Sequence, residues 1–125
     1  MDVTPLIPEG RQLIEAYGDG AFRITGERYA GPVIVFPEET LDWNPAEVAD
    51  LTLADFVPVT GREPAPEILL FGTGARTEFV LPSLRASIRE KGPVVDIMDT
   101  GAACRTYNVL LAEGRRVAAA LLPVD

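Results

Sequence analysis

The feature that most restricts the fold of this chain is a regular alternation of apolar and amphipathic segments after Pro66. Three segments typical of buried strands alternate there with two segments typical of helices, in the order 67–72, 82–91, 93–98, 100–112 and 116–122. Gly92 and Gly114 follow the two predicted helices, at positions where glycine commonly ends a helix. A β-α-β-α-β order with short connections favours parallel strands joined by right-handed crossovers, so we predict an α/β fold.

The first half of the chain predicts additional β structure. Segments 13–17 and 22–25 flank Gly18-Asp19-Gly20, a pattern typical of a hairpin, and Gly26-Glu27 predicts a second turn. The short apolar run 33–36 predicts a buried strand. Together the two halves predict a mixed, largely parallel central sheet with flanking helices and an N-terminal β-hairpin layer.

The remaining segments have weaker patterns. Residues 1–11 are predicted to form an N-terminal arm, and residues 12–125 a single α/β domain. Residues 41–45 are typical of a loop, whereas 51–56 fit either a short helix or a strand. The helix is favoured because Asp55 stands at the capping-box position relative to Thr52.

Composition excludes several classes of function. The chain has no histidine and one cysteine, so it lacks the usual Ser-His and Cys-His catalytic pairs and the ligands of a typical zinc site. We therefore expect no metal and no cofactor, and we favour a protein that is not an enzyme. The net charge of −8 disfavours nucleic acid and anionic membranes as partners. Residues 1–67 carry most of the acidic excess, with thirteen Asp and Glu against four Arg and Lys.

Nothing in the sequence predicts a membrane segment or a targeting signal. No apolar run approaches the roughly 20 residues that cross a bilayer. The N-terminal residues lack the basic and apolar regions of a secretory signal and the Arg-rich character of a transit peptide. We therefore expect a cytoplasmic protein.

Two strand-to-helix connections carry the candidate binding residues. Because both follow predicted parallel strands, they are expected to meet at one edge of the sheet, where ligands of open α/β sheets bind. The helix that begins near residue 100 also offers N–H groups and a positive dipole end to an anion or carboxylate. Two arginines could complete such a site as the halves of a clamp. The candidate ligand- or partner-binding residues are Gly72, Thr73, Gly74, Arg76, Asp99, Thr100, Gly101 and Arg105.

Simpler interpretations of the same residues stay open. Gly72-Thr73-Gly74 matches neither the dinucleotide fingerprint nor a P-loop, and its glycines are equally typical of a turn. Cys104 shares a predicted helix face with Ala103 and Tyr107, so a buried structural thiol is favoured over a reactive one. Asn108, at the edge of that face, is expected to bond to a neighbouring loop.

Several of these blocks also form a recognisable set. It comprises Tyr17, Gly20 and Phe22, then Gly72-Thr73-Gly74 with Arg76, then Asp99-Thr100 with Ala103, Thr106, Asn108 and Leu110, and finally Glu113-Gly114-Arg115 with Ala119-Ala120-Leu121. Over about residues 12–123 the set resembles the NADH:ubiquinone oxidoreductase (respiratory complex I) assembly factor 3 family. The resemblance implies an α/β domain with a mixed central sheet, and a non-enzymatic role in building complex I together with another assembly factor at the inner membrane.

The sequence therefore leaves two classes of function. The first is a non-enzymatic binding or assembly factor whose partners are respiratory-complex subunits or another assembly factor, and which reaches the inner membrane only through its partner. The second is a small-molecule binder for an anionic ligand, or a modest enzyme, in which Asp96 or Asp99 is the available base. A third reading assigns the glycines and arginines to folding alone. Whether the chain forms a homo-oligomer is left open.

Overall fold

The computed structural model describes residues 10–125, so the predicted arm at 1–11 lies almost entirely outside the described residues. The described part contains eight strands: β1 Ile14–Gly18, β2 Ala21–Ile24, β3 Glu27–Ala30, β4 Val33–Val35, β5 Thr40–Asp42, β6 Ile68–Gly72, β7 Val94–Met98 and β8 Val117–Leu121. Its α-helices are α1 Val57–Thr60, α2 Pro82–Glu90 and α3 Thr100–Ala112, and short 3-10 helices span Val48–Asp50 and Leu53–Phe56.

The first three strands form an antiparallel sheet in the order β1-β2-β3. Asp19 and Gly20 join β1 to β2 with positive φ angles of 53° and 74°, as a type I′ turn requires. Thr25 and Gly26 form the next turn in the same way, with φ angles of 45° and 83°. The hairpin prediction is confirmed, but the second turn begins one residue earlier than the predicted Gly26-Glu27.

The central sheet has five strands in the order β5-β4-β8-β6-β7. β6 pairs in parallel with both β7 and β8, whereas β4 pairs antiparallel with β8 and β5. The predicted mixed, largely parallel sheet is thus confirmed. Because β6 and β8 run in the same direction at the centre, both end at the edge of the sheet where α3 begins.

Two local predictions need correction or refinement. The segment 41–45 was expected to be a loop, but its first two residues belong to β5, which pairs with β4. A tight turn joins these two strands, and in it the Phe36 N–H donates to the Glu39 C=O at 2.8 Å. The favoured helix at 51–56 is present as the 3-10 helix Leu53–Phe56, which continues into α1. The Asp55 carboxylate accepts the Thr52 N–H at 2.9 Å, as a capping box predicts.

The two faces of the central sheet bury separate cores, because successive residues of a strand point to opposite faces. Leu69 and Phe71 of β6 face α2, where Trp43, Phe56 and Phe71 pack with ring centroids 5.5–5.9 Å apart. Leu70 faces the other side and packs with α3 and the three-stranded sheet. The helix α3 therefore lies between the two sheets, and its first turn is held by both.

Candidate functional site

The end of β6 and the start of α3 come into direct contact at Gly72. A Cβ atom on Gly72 would lie 2.9 Å from both the Cα and the Oγ1 of Thr100, and 3.0 Å from Leu121 Cδ2. A strand and a helix can approach this closely only where no side chain stands between them. We call this region, formed by residues 72–78 and 99–105, the β6–α3 junction.

Thr100 joins three elements at the junction. Its N–H donates to Gly74 C=O at 2.8 Å, and its hydroxyl accepts the Gly74 N–H at 2.8 Å. The same hydroxyl donates to Leu122 C=O at 2.6 Å, just beyond β8. Gly74 has a φ of +99°, so its glycine identity permits the turn that this bonding needs. The hydrogen-bonding capacity of Thr100 is therefore used within the protein.

Thr73 shapes the loop that carries Arg76. Its side chain is buried, its hydroxyl donates to Arg76 C=O at 2.7 Å, and it accepts the Glu78 N–H at 3.0 Å. Its backbone N–H donates to Met98 C=O at 3.0 Å, at the end of β7. Thr73 thus fixes the backbone around Arg76 through hydrogen bonds to both neighbouring segments.

Asp99 caps α3. Its carboxylate accepts the Ala102 N–H at 2.8 Å, and its backbone C=O accepts the Ala103 N–H at 3.0 Å. Asp and Thr are both residue types that cap helices, so the sequence alone allows either Asp99 or Thr100 to be the cap and the other to point into the site. Asp99 is the cap, but Thr100 is buried and bonded. Three of the first four N–H groups of α3 therefore have partners inside the protein.

Gly101 contacts Tyr17, a residue that the helix pattern did not predict to be near the site. The Tyr17 ring of β1 packs so closely on Gly101 that a Cβ there would collide with the Tyr17 hydroxyl, and it would lie 3.3 Å from Arg105 Nη1. Tyr17 remains 42% exposed, so its ring forms part of the outer surface beside Arg105. The only sequence signal for Tyr17 was its place in the family resemblance.

The two candidate clamp arginines lie on the surface. Arg76 and Arg105 are both exposed, and neither forms an ion pair with a carboxylate of residues 10–125. The junction therefore combines a buried, internally bonded framework with two exposed guanidinium groups and one exposed aromatic ring. The use of these groups as a clamp stays a prediction.

Cys104 is buried behind the junction, as expected. Burial raises the pKa of its thiol to about 12, while Arg105 lowers the pKa and Asp99 raises it by smaller amounts. Because the thiolate is the nucleophilic form, the thiol is unreactive near pH 7. This agrees with the favoured reading of Cys104 as a structural residue.

Asn108 connects α3 to the small sheet. Its amide donates to Ile14 C=O at 2.8 Å and accepts the Ile14 N–H at 3.1 Å. The expected partner was a loop, and the observed partner is strand β1. One residue earlier in α3, the Tyr107 hydroxyl donates to Gln12 C=O at 3.0 Å. These bonds place β1, and with it Tyr17, against α3.

Other classes of site have little support in the described residues. Within residues 10–125, no three His, Cys, Asp or Glu side chains come together as metal ligands. None of the helices in that range has the length and apolar character needed to cross a bilayer.

The layered sheets and the β6–α3 junction define an α/β domain of the Mth938-like class. A Mth938-like domain from Bordetella pertussis, solved by NMR, superposes with a TM-score of 0.80 at 32% sequence identity, covering 98% of this chain and 92% of that one. A family model described as a protein of unknown function (DUF498/DUF598) matches residues 14–122. The chain therefore belongs to the DUF498/DUF598 family.

Similar proteins carry two kinds of description. NADH dehydrogenase [ubiquinone] 1 alpha subcomplex assembly factor 3 of Xenopus tropicalis is 39% identical over 111 residues, which is 89% of this chain and 61% of that protein. An uncharacterized protein of Rhodobacter capsulatus is 36% identical over 115 residues, which is 92% of this chain and 87% of that protein. This chain thus spans about three fifths of the length of the Xenopus relative. The resemblance noted from the sequence is confirmed.

Proposed function

We propose that this chain is a non-enzymatic assembly factor that binds a protein partner belonging to, or acting on, respiratory complex I. The observation that carries the proposal is the 39% identity to a vertebrate complex I assembly factor over nearly the whole chain. The interior of the junction supports a binding role, because its polar groups are bonded to one another and its one thiol is protonated. Contact with a membrane-bound complex would then be made through the partner.

The surface of the β6–α3 junction is the partner-binding face in this proposal. Gly72, Thr73, Gly74, Asp99, Thr100 and Gly101 set its shape through the contacts described above. Arg76 and Arg105 are the residues that contact an acidic loop or a carboxylate of the partner, because both guanidinium groups lack an ion pair in residues 10–125.

Apolar groups next to the arginines add to this face. Phe79 is 75% exposed, and it follows Arg76 in the same loop. An exposed phenylalanine beside a charged residue is typical of the aromatic anchors that supply much of the binding energy at interfaces. Tyr17 provides a second exposed ring at the other end of the face, beside Arg105.

The alternative is an anionic small molecule bound between Arg76 and Arg105. Two exposed arginines without an ion pair in residues 10–125 favour it. The start of α3 weakens it, since three of its first four N–H groups already have acceptors. A screen of metabolite anions by thermal shift distinguishes the two functions. Stabilisation by an anion that is abolished in Arg105→Ala would favour the small-molecule binder over the assembly factor.

Affinity capture from the native cell, followed by mass spectrometry, tests the assembly role. Wild-type protein is compared with Arg76→Glu/Arg105→Glu and with Arg89→Glu/Lys91→Glu, which changes the net charge equally on exposed positions at the end of α2. Circular dichroism establishes that all three are folded. We expect complex I subunits or assembly factors with the wild type and the control, and their loss from the junction variant.

Two results would contradict the proposal at different points. Capture that contains no respiratory protein with any of the three baits would remove the assembly role. Equal capture by the junction variant and the control would keep the role and place the partner elsewhere on the surface.

A further inference from the structure

A second candidate site lies at the opposite end of the central sheet from the junction. A cavity of about 380 Å³ opens where β6 and β8 begin and where β4 and α3 end. We call it the arginine cavity. Its lining residues are Arg11, Phe36, Pro37, Glu38, Arg62, Glu63, Pro64, Pro66, Leu111, Gly114, Arg115, Arg116 and Val117.

The lining of the arginine cavity is richer in basic residues than the chain as a whole. Four of the eleven basic residues line it, with two carboxylates, Glu38 and Glu63. Two of the four arginines are paired with carboxylates outside the lining, whereas Arg11 and Arg116 form no ion pair with a carboxylate of residues 10–125. The whole chain has a net charge of −8. Positive groups gathered in a concave site concentrate anions there, because low-dielectric walls focus the field into the cleft.

Arg62 is held in place on the wall of the cavity. Its guanidinium carbon lies 3.5 Å from the centre of the Phe36 ring, and its Nη2 donates to Glu39 at 2.7 Å. A guanidinium group has five N–H donors, so one carboxylate partner leaves others for a ligand. Stacking on an aromatic ring restricts the group to one plane, which favours bidentate binding of a carboxylate.

Arg116 supplies a cation that is not neutralised within the described chain. It forms no ion pair with the carboxylates of residues 10–125, whereas its neighbour Arg115 bonds to Glu67 at 2.9 Å. The Arg116 backbone is fixed, because its C=O accepts the N–H groups of Glu67 and Ile68 at 2.9 and 3.3 Å. Arg116 also lines an adjoining cavity of about 520 Å³ with Arg89 and Lys91.

The rest of the lining is apolar. Proline rings, of which Pro64 is exposed, form walls beside the charged groups, whereas Phe36, Leu111 and Val117 are buried in the core next to the cavity. A cavity of a few hundred Å³ with apolar walls and a few charged groups is typical of small-molecule sites. An inorganic anion would leave these walls uncovered, whereas an organic anion would contact both kinds of surface.

We propose that the arginine cavity binds a small organic carboxylate with an aromatic or short aliphatic body. Arg62 and Arg116 hold the carboxylate, and the apolar body packs on the exposed Pro64 ring. This site is independent of the partner-binding face at the junction, and it requires neither the assembly role nor Arg76 and Arg105.

Titration of the ¹⁵N-labelled protein with benzoate, followed by NMR, tests the proposal. Benzyl alcohol, which has the ring without the charge, and inorganic phosphate, which has the charge without the ring, are the matched probes. We expect saturable shifts of the amide signals of residues 36–38, 62–63 and 114–117 with benzoate, and at least about tenfold weaker binding of either matched probe.

Substitutions of the cavity arginines test which side chains bind the carboxylate. Arg116→Gln and Arg62→Gln are expected to weaken benzoate binding by at least about tenfold each, whereas Arg28→Gln on β3 leaves the Kd unchanged. Arg116→Lys, which keeps the charge but not the planar fork, is expected to fall between wild type and Arg116→Gln. Three results would each overturn the proposal: benzyl alcohol binding as tightly as benzoate, equal binding by Arg116→Gln and Arg28→Gln, or shifts centred on residues 72–76 and 99–105.

Discussion

Single residues at the β6–α3 junction make contacts that a larger or apolar side chain would destroy. Gly72 permits contact with the Thr100 backbone, and Gly101 permits contact with Tyr17. The Thr100 hydroxyl acts both as donor and as acceptor, so it connects the loop after β6 to the end of β8. The junction is therefore specified by residue size as much as by charge, which explains why small residues prevail in it.

Gly72→Ala is expected to destabilise the protein by about 1–3 kcal/mol, the usual cost of overpacking a closely packed region. The added Cβ would meet Thr100 Cα at 2.9 Å, and a backbone atom of a helix cannot move aside as a flexible side chain can. Urea denaturation measures the change. Gly114→Ala is the comparison, because its Cβ enters open space and only its φ of +75° adds strain. An unchanged denaturation midpoint in Gly72→Ala would show that the contact is looser than described.

The buried thiol of Cys104 leads to a prediction about how the free energy of unfolding depends on pH. Its pKa in the folded protein is about 12, above the ordinary value of 9.0, because burial disfavours the thiolate. The unfolded chain therefore loses the proton first, and the stabilising contribution of the buried thiol, complete below pH 9, declines as pH rises from 9 toward 12. We expect the free energy of unfolding to fall more steeply over this range in the wild type than in Cys104→Ala. Parallel pH profiles would mean that the thiol is not buried in solution.

Among the elements, α3 depends on β1 for its position between the sheets. Asn108 makes two hydrogen bonds to the backbone of Ile14, at 2.8 and 3.1 Å, and Tyr107 bonds to Gln12 at 3.0 Å. Residues more than ninety positions apart are joined in this way. The three-stranded sheet is thus attached to the helix by specific polar bonds as well as by the shared apolar core.

Asn108→Ala is expected to cost about 1–3 kcal/mol, because it leaves the Ile14 N–H and C=O without their partners in a partly buried position. Hydrogen exchange of the Ile14 amide should accelerate relative to amides of β6 at the centre of the sheet. Asn108→Ser, which can make one of the two bonds, is the graded control. If Ile14 exchanged at the wild-type rate in Asn108→Ala, the bonds would not be holding β1.

The elements also show which parts of the structure local sequence could predict. The β-α-β-α-β unit was predicted correctly because its strands are largely apolar and Gly92 and Gly114 follow its helices. β3 and β5 were missed because they are short and largely exposed, so they lack an apolar pattern. Their pairing is set by type I′ and other tight turns, which the sequence specifies only once the neighbouring strand is known.

The candidate sites could likewise be predicted only where they depend on a local sequence pattern. A helix cap at Asp99 or Thr100 and the burial of Cys104 follow from spacing along one helix, so they could be predicted, whereas the choice of Asp99 over Thr100 could not. The contact of Tyr17 with Gly101 depends on how the small sheet docks on α3, which no local pattern encodes. The arginine cavity draws on residues from Arg11 to Val117, so only the folded chain brings its charges together.

At the scale of the whole molecule, the central sheet separates the two proposed sites. The junction lies where β6 and β8 end, and the arginine cavity lies where they begin. Five-residue strands at about 3.3 Å per residue place the sites roughly 16 Å apart. This exceeds the Debye length of about 8 Å at physiological ionic strength, so charges at one site are largely screened from the other.

Substitutions at the two ends should therefore act independently. At 0.15 M salt we expect Arg76→Glu/Arg105→Glu to lose partner capture while its benzoate Kd stays within about twofold of wild type. Arg116→Gln should show the converse, with weakened benzoate binding and full capture of the partner. Combining the three substitutions should give the sum of the separate changes in free energy, since residues this far apart share no contacts. If Arg116→Gln also abolished capture, the arginine cavity would belong to the partner-binding surface, and its carboxylate would come from the partner itself.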